Sequence, residues 1–128
     1  MRFVLDTHVF FWWITDSPLL PEKVRKLISE GSHELFWSSA SSWEIAIKYA
    51  NEKLPLPERP EVFIPSELAI NRISSLSITD DHSYLPGSLP GHHRDPFDRM
   101  LIAQSNIEKM PLVSGDQILS HYEVKTFW

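Results

Sequence analysis

A three-layer α/β/α domain built on a short parallel sheet of about five strands is the architecture this sequence predicts. Three observations carry the prediction. Strand-like and helix-like segments alternate along the chain, which requires crossover connections and hence parallel strands. The strand candidates are short and nearly all apolar, as strands covered by helices on both faces must be. Ten prolines and four glycines punctuate the chain at intervals, with no repeat and no low-complexity tract. The 128 residues suffice for one domain with a real core, expected to span 1–128. At 42% apolar and 23% charged residues, the composition excludes general disorder.

The elements follow in order. Phe3-Val4-Leu5 is a short apolar run ending at Asp6 and predicts a buried first strand. Val9 to Trp13 predicts a short aromatic helix. Pro18 and Pro21 precede a helix from Glu22 to Glu30, stopped by Gly31. Glu34 to Trp37 is the second strand. Ser41 opens a helix that places Trp43, Ala46, Ile47, Ala50 and Leu54 on one apolar stripe. Pro55, Pro57 and Pro60 break the chain. Val62 to Ile70 predicts a helix, to which Pro65 is an internal objection. Ile73 to Ile78 suits a third strand, and Pro86 to Gly91 a loop. Pro96 starts a helix running to about Lys109. Leu112-Val113 is the fourth strand and Val124 to Phe127 the fifth.

Composition also narrows the function. The chain has no cysteine, so it has no disulfide framework, no thiolate metal site and no cysteine nucleophile. Its net charge is −5 with six histidines neutral, whereas a protein that holds nucleic acid by charge alone is normally basic. The longest apolar run, Val9 to Ile14, is far short of a membrane span. Met1 to Asp6 puts a carboxylate where a signal peptide is apolar, so a cytoplasmic protein is expected. There is no GxSxG elbow, no phosphate-binding glycine loop and no zinc helix motif.

What remains is carboxylate chemistry. In a parallel α/β sheet, ligands bind at the edge where strands end and the next helices begin. Asp6 follows strand one, and Glu44 falls in the first turn of the helix after strand two. Asp98 falls in the first turn of the helix leading to strand four, and Asp116 follows strand four. Four acids from four distant segments are therefore expected at one edge. Each also has a plain structural alternative. Ser41-Ser42-Trp43-Glu44 fits a capping box, and Glu44 can pair with Lys48 one turn on. Asp95-Pro96-Phe97-Asp98 combines a cap, a first-position proline and a first-turn acid. Asp116 suits a cap or a turn. Asp6 is the hardest to explain as a cap, because the helix after it gains little. Carboxylates ~7 Å apart at an effective dielectric of ~20 repel by ~2.4 kcal/mol per pair. Four ionised acids would then cost on the order of 14 kcal/mol, against a domain stability of ~5–15 kcal/mol. A bound cation would relieve this, and hard oxygen donors favour Mg²⁺ or Mn²⁺ over Zn²⁺. It would also let an acidic protein engage a phosphodiester.

Four segments resemble the PIN-domain family, and more narrowly its VapC-type toxins from toxin–antitoxin pairs. They are Leu5-Asp6-Thr7-His8, Ser41 to Lys48, His93 to Gln104 and Val113-Ser114-Gly115-Asp116. The likeness runs nearly end to end, with the His93–Gln104 block the most specific. It implies a metal-dependent endoribonuclease with Asp6, Glu44, Asp98 and Asp116 as catalytic metal ligands and one or two Mg²⁺ or Mn²⁺ ions. It implies supporting roles for Ser114 and for Thr7, while Asp95 stays a cap that touches the site through water. It also implies RNA as substrate, a homodimer, and a cognate antitoxin that blocks the active site. Lys48, His92, His93, Arg94 and Arg99 are candidates for a local basic patch on RNA, with a solvated loop as the alternative for His92-His93-Arg94. Phe10, Phe11, Trp12 and Trp13 rotate by about 100° each and cannot all face one core. Part of this cluster is therefore expected in the homodimer or antitoxin interface. A phosphoacceptor receiver domain fits poorly: Asp6 has no acidic neighbour, and Asp80-Asp81 follow strand three too loosely. A DNA-directed nuclease of the same fold and a catalytically silent RNA- or partner-binding module stay open.

Overall fold

The computed structural model describes residues 1–91 and 95–128. Five strands form one sheet: β1 (Arg2–Leu5), β2 (Glu34–Ser38), β3 (Ile73–Leu76), β4 (Leu112–Val113) and β5 (Thr126–Phe127). Their order is β3-β2-β1-β4-β5 and every pairing is parallel. The helices are α1 (Thr7–Ile14), α2 (Glu22–Ser29), α3 (Ser39–Ala50), α4 (Pro60–Ile70), α5 (Asp80–Tyr84) and α6 (Pro96–Glu108). Two 3-10 turns cover Leu85–Ser88 and Gln117–His121.

Strand alternation divides the core between the two faces of the sheet. Phe3 and Leu5 point to one side, where they meet Val9, Phe10, Val24, Leu35, Trp37, Ile45, Ile64 and Leu68. Val4 points to the other, where it meets Leu101, Ile102, Met110, Leu112 and Leu119. The helices α1 to α4 thus cover one face, and α6 with the last 3-10 turn covers the other. This is the predicted three-layer arrangement.

Local structure departs from expectation in four places. First, α3 begins at Ser39, and its cap is Ser38, whose hydroxyl accepts from the Ala40 amide at 3.0 Å. Ser41 is inside the helix, so the alternative Ser41–Glu44 capping box does not form, and Glu44, expected in the first turn, lies in the second. Second, the buried face of α3 is Ala40, Ser41, Glu44 and Ile45. The predicted stripe looks outward, with Trp43 63% exposed. A 3.6-residue period locates a stripe, but what β2 and α4 offer to it decides which face is covered. Third, α4 accommodates Pro65 without breaking, losing one backbone bond while Ile64 and Leu68 bury. Fourth, the third strand stops at Leu76, and α5 follows where no helix was expected. Thr79 caps it: its hydroxyl accepts from the His82 amide, and the His82 ring nitrogen Nδ1 accepts from the Thr79 amide. A histidine here does what glutamate does in the usual capping box.

Ser38 joins the layers. Besides capping α3, its hydroxyl donates to the Gln104 side chain of α6, and both residues are completely buried. Ser38→Ala removes the cap, worth ~1 kcal/mol. It also leaves the Gln104 oxygen without that donor at a further ~1–2 kcal/mol. Urea unfolding should therefore show a loss of about 2–3 kcal/mol with an unchanged slope. A loss under about 0.5 kcal/mol would mean that Ser38 does neither job.

Candidate active site

The site grows from the pairing of β1 with β4. Leu5 is in register with Val113, and the Asp6 amide donates to the Val113 carbonyl at 3.0 Å. The next side chains therefore emerge side by side. Ser114 Oγ donates to Asp6 Oδ2 at 2.6 Å and accepts from the Asp116 amide at 3.2 Å. One hydroxyl thus fixes the two acids relative to each other. Asp6 Oδ1 accepts from the His8 amide at 3.2 Å, so Asp6 does cap α1, contrary to expectation. The cap uses Oδ1 alone, and Oδ2 is the oxygen that accepts from Ser114. Asp116 caps the following 3-10 turn through the Ile118 amide. Asp95 caps α6, as expected, accepting from Phe97 and Asp98 amides.

Asp6, Asp98 and Asp116 line one cleft of about 240 Å³ together with His8, Val9, Trp12 and Gly115. Glu44 sits behind Thr7 and is 6% exposed. Thr7 Oγ1 lies 3.1 Å from Glu44 Oε1 and 2.8 Å from Ser41 Oγ. A carboxylate only accepts, so the Thr7 proton goes to Glu44 and Ser41 donates to Thr7. Glu44 Oε2 accepts from Lys48 Nζ at 2.8 Å, the helical pairing that the spacing allowed. Three predicted acids therefore share the cleft, and the fourth, Glu44, does not line it but is held by Thr7 and Lys48.

Charge is balanced locally. Burial pushes the Asp6 carboxyl upward. The His8 and Ser114 side chains and the His8 amide outweigh it and hold Asp6 below the ordinary aspartate value. His8 is raised by the adjacent Asp6 carboxylate, 3.7 Å from its Nδ1, against the effect of burial. Lys48 is raised first by Glu44, and further by the charges of Asp95 and Asp98. Among the described residues, no three His, Asp or Glu side chains stand close enough to share one ion as placed. Asp6, Glu44 and Asp116 instead each take nearby donors. In donor chemistry the set still fits a hard divalent cation: the cleft acids offer carboxylate oxygen only, and Asp6 is held ionised.

Two other expectations need correction. Arg99 does not present a free guanidinium to a substrate. It donates to the carbonyls of Pro86, Leu89 and Pro90 and so holds the 86–90 segment against α6. His93 and Arg94, with His92, lie outside the described residues. Of the four rings proposed for an interface, Phe10 is 0% exposed and packs against Phe11 and Trp37 in the core. Phe11 and Trp13 are half-buried against the same core, and the Trp13 indole donates to Asn71 at 2.9 Å. Trp12 instead lines the acidic cleft. Burial thus removes Phe10 from any interface, while Phe11, Trp12 and Trp13 pack in part against the core and stay partly exposed.

Sequence reading missed His8, Ser41, Gly115 and Trp128. A Cβ at Gly115 would fall 2.5 Å from the Trp128 ring, so only glycine lets that indole seat against the cleft wall. The Gly115-Asp116 pair was visible in the sequence, but nothing marked Trp128 as its neighbour.

Comparison with known proteins gives a consistent picture. A family profile described as "PIN domain" matches residues 3–125. Ribonuclease VapC16 of Mycobacterium tuberculosis is 33% identical over 61 residues, covering 48% of this chain and 43% of that protein. The alignment thus spans less than half of this curated relative. Similar solved structures include VapBC2 from Rickettsia felis bound to a DNA fragment from their promoter. It has a TM-score of 0.71 and 14% identity and covers 98% of this chain and 96% of that one. FitAcB from Neisseria gonorrhoeae has a TM-score of 0.64 at 14% identity, covering 100% of this chain and 97% of that one. At such identity these two likenesses speak to the fold.

The Asp6–His8 contact has a pH signature in metal-free protein. Asp6 is lowered from 3.8, so its contribution is present above that value and is lost as pH falls through the folded value. His8 is raised from 6.5, so its contribution is full below 6.5 and is lost as pH rises through the folded value. With chelator present, the melting-temperature gap between wild type and His8→Gln should be widest between these two ordinary values. It should narrow by pH 9. A gap that stays constant from pH 5 to pH 9 would show that the contact carries no charge coupling.

Proposed function

This chain belongs to the PIN-domain family, and on that premise we propose that it is a divalent-metal-dependent endoribonuclease and the toxin of a toxin–antitoxin pair. The observation that carries the reading is the cleft itself: Asp6, Asp98 and Asp116 come from three distant segments and line one concave surface. Asp6, Asp98 and Asp116, with Glu44 beside them, would hold one or two Mg²⁺ or Mn²⁺ ions. Such a cation supplies the positive field that a phosphodiester's developing negative charge needs. The chain's own groups set the rest. Ser114 orients Asp6 and Asp116 together, and Thr7 with Ser41 aims Glu44. A cleft carboxylate orients the attacking water and takes its proton. The water oxygen bonds to phosphorus as the ester P–O bond breaks, and the leaving oxygen departs with a proton from solvent.

The wider reading follows the same family. The substrate is RNA, the chain pairs as a homodimer, a cognate antitoxin blocks the cleft, and the protein works in the cytoplasm. Residues 1–128 are read as one such domain. Support comes from the VapC16 ribonuclease similarity and from the VapBC2 likeness. Among the described residues, no helix is long and apolar enough to cross a membrane.

Total cellular RNA incubated with purified protein tests the reading. Wild type should cut with Mg²⁺ or Mn²⁺ and not with chelator. Asp6→Asn should cut at least about a hundredfold more slowly, roughly 2.7 kcal/mol of barrier. Failure of folded, antitoxin-free wild type to cut RNA with either ion would overturn it. Metal-dependent cutting of DNA alone would make the chain a DNA-directed nuclease instead.

A further inference from the structure

The sequence reading set Trp12 aside for a protein interface, yet its ring lines the acidic cleft with Asp6, Asp98 and Asp116. We propose that Trp12 is a stacking platform for one unpaired RNA base next to the scissile phosphate. The inference rests on the nuclease reading and adds what selects the strand. Asp6 caps the helix that carries Trp12, so cap and ring are fixed to one rigid element. The ring is half-buried, packed in part against the core and braced by two further rings. His8, one turn back, lies at 5.9 Å and is tilted by 40°. Trp128 lies at 5.9 Å and is tilted by 50°. Neither neighbour lies flat on the indole. Trp128 is seated in turn against Gly115, where a Cβ would collide with it.

The chemistry of the cleft gives the ring its purpose. With net charge −5 and acids around the cleft, phosphate contacts alone cannot supply the affinity that basic nucleic-acid binders draw from them. Every base has a π-face, and stacking on an aromatic side chain binds it without charge. Only a base free of its partner can be splayed onto such a ring, so the platform selects single-stranded segments over duplex. Its place in the cleft makes the stacked nucleotide an immediate neighbour of the phosphate that is cut.

The test titrates a six-nucleotide single-stranded RNA into Asp6→Asn protein with Mg²⁺, alongside strands carrying an abasic site at each position in turn. One abasic position should weaken binding roughly ten- to hundredfold, the loss of one stack. Trp12→Leu, which keeps apolar bulk without a π-face, should weaken the intact strand by the same factor and leave that abasic strand unchanged. Trp12→Phe should stay within about threefold of the parent protein. In the cleaving protein, Trp12→Leu should raise KM with kcat within about threefold. Equal losses for intact and abasic strands overturn the proposal, as does an intact strand that Trp12→Leu binds normally. If Trp12→Leu does not fold, the abasic series decides alone: binding that no single missing base weakens overturns it. Base-dependent binding through Trp12 without cleavage by wild type keeps the platform and discards the nuclease. Metal-dependent cleavage with an unchanged KM in Trp12→Leu discards the platform and keeps the nuclease.

Discussion

The hydrogen bond from Ser114 to Asp6 is the contact on which the site depends. It exists because β1 lies at the centre of the sheet with β4 as its neighbour. The chain builds outward from β1 to β2 and β3, then returns to add β4 and β5 on the other side. That reversal leaves a gap between the helices at the carboxyl end of the sheet, where such folds bind their ligands. Asp6 leaves the central strand into that gap. Register brings Ser114 and Asp116, which follow β4, beside it, and a hydrogen bond from Thr7 reaches Glu44 on α3.

Burying acids is costly, and this protein offsets the cost with individual donors. Asp6 has a hydroxyl and a helix-start amide; Glu44 has a hydroxyl and an ammonium; Asp116 has an amide. The dispersal answers the repulsion argument in a way that composition alone could not foresee. A like-charged cluster is tolerable when its members are spread out and each is separately hydrogen-bonded. The same donors hold the carboxylates of Asp6, Glu44 and Asp116 each in one orientation.

Most of the fold was legible because it rests on signals that survive out of context. Short apolar runs became strands, and the Asp95-Pro96 start of α6 formed as read. The acids were legible because strand–helix alternation dictates which edge they reach. What failed to show was pairing between remote segments. The α3 stripe has a clean helical period, but the period does not say that Trp43 faces outward while Glu44 and Ile45 face in. α5 was hidden because its cap uses a histidine where a carboxylate or amide is the usual signal. Arg99 looked like a free cation because its carbonyl partners, nine to thirteen residues back, carry no side-chain signature. Trp128 and Gly115 are close in space, but no local pattern announces a ring resting on a glycine.

The Ser114–Asp6 bond joins residues 108 positions apart. Closing so long a loop has an entropy cost that only completed non-local pairing repays, and structures rich in such contacts assemble late. During synthesis, Asp6 and Glu44 emerge from the ribosome long before their partners exist. A half-made chain therefore carries some of the acids but not the cleft, since nothing yet holds Asp6 in place. Whatever the cleft does, it begins only after Ser114 and Asp116 have been translated, a built-in delay between making Asp6 and arming it.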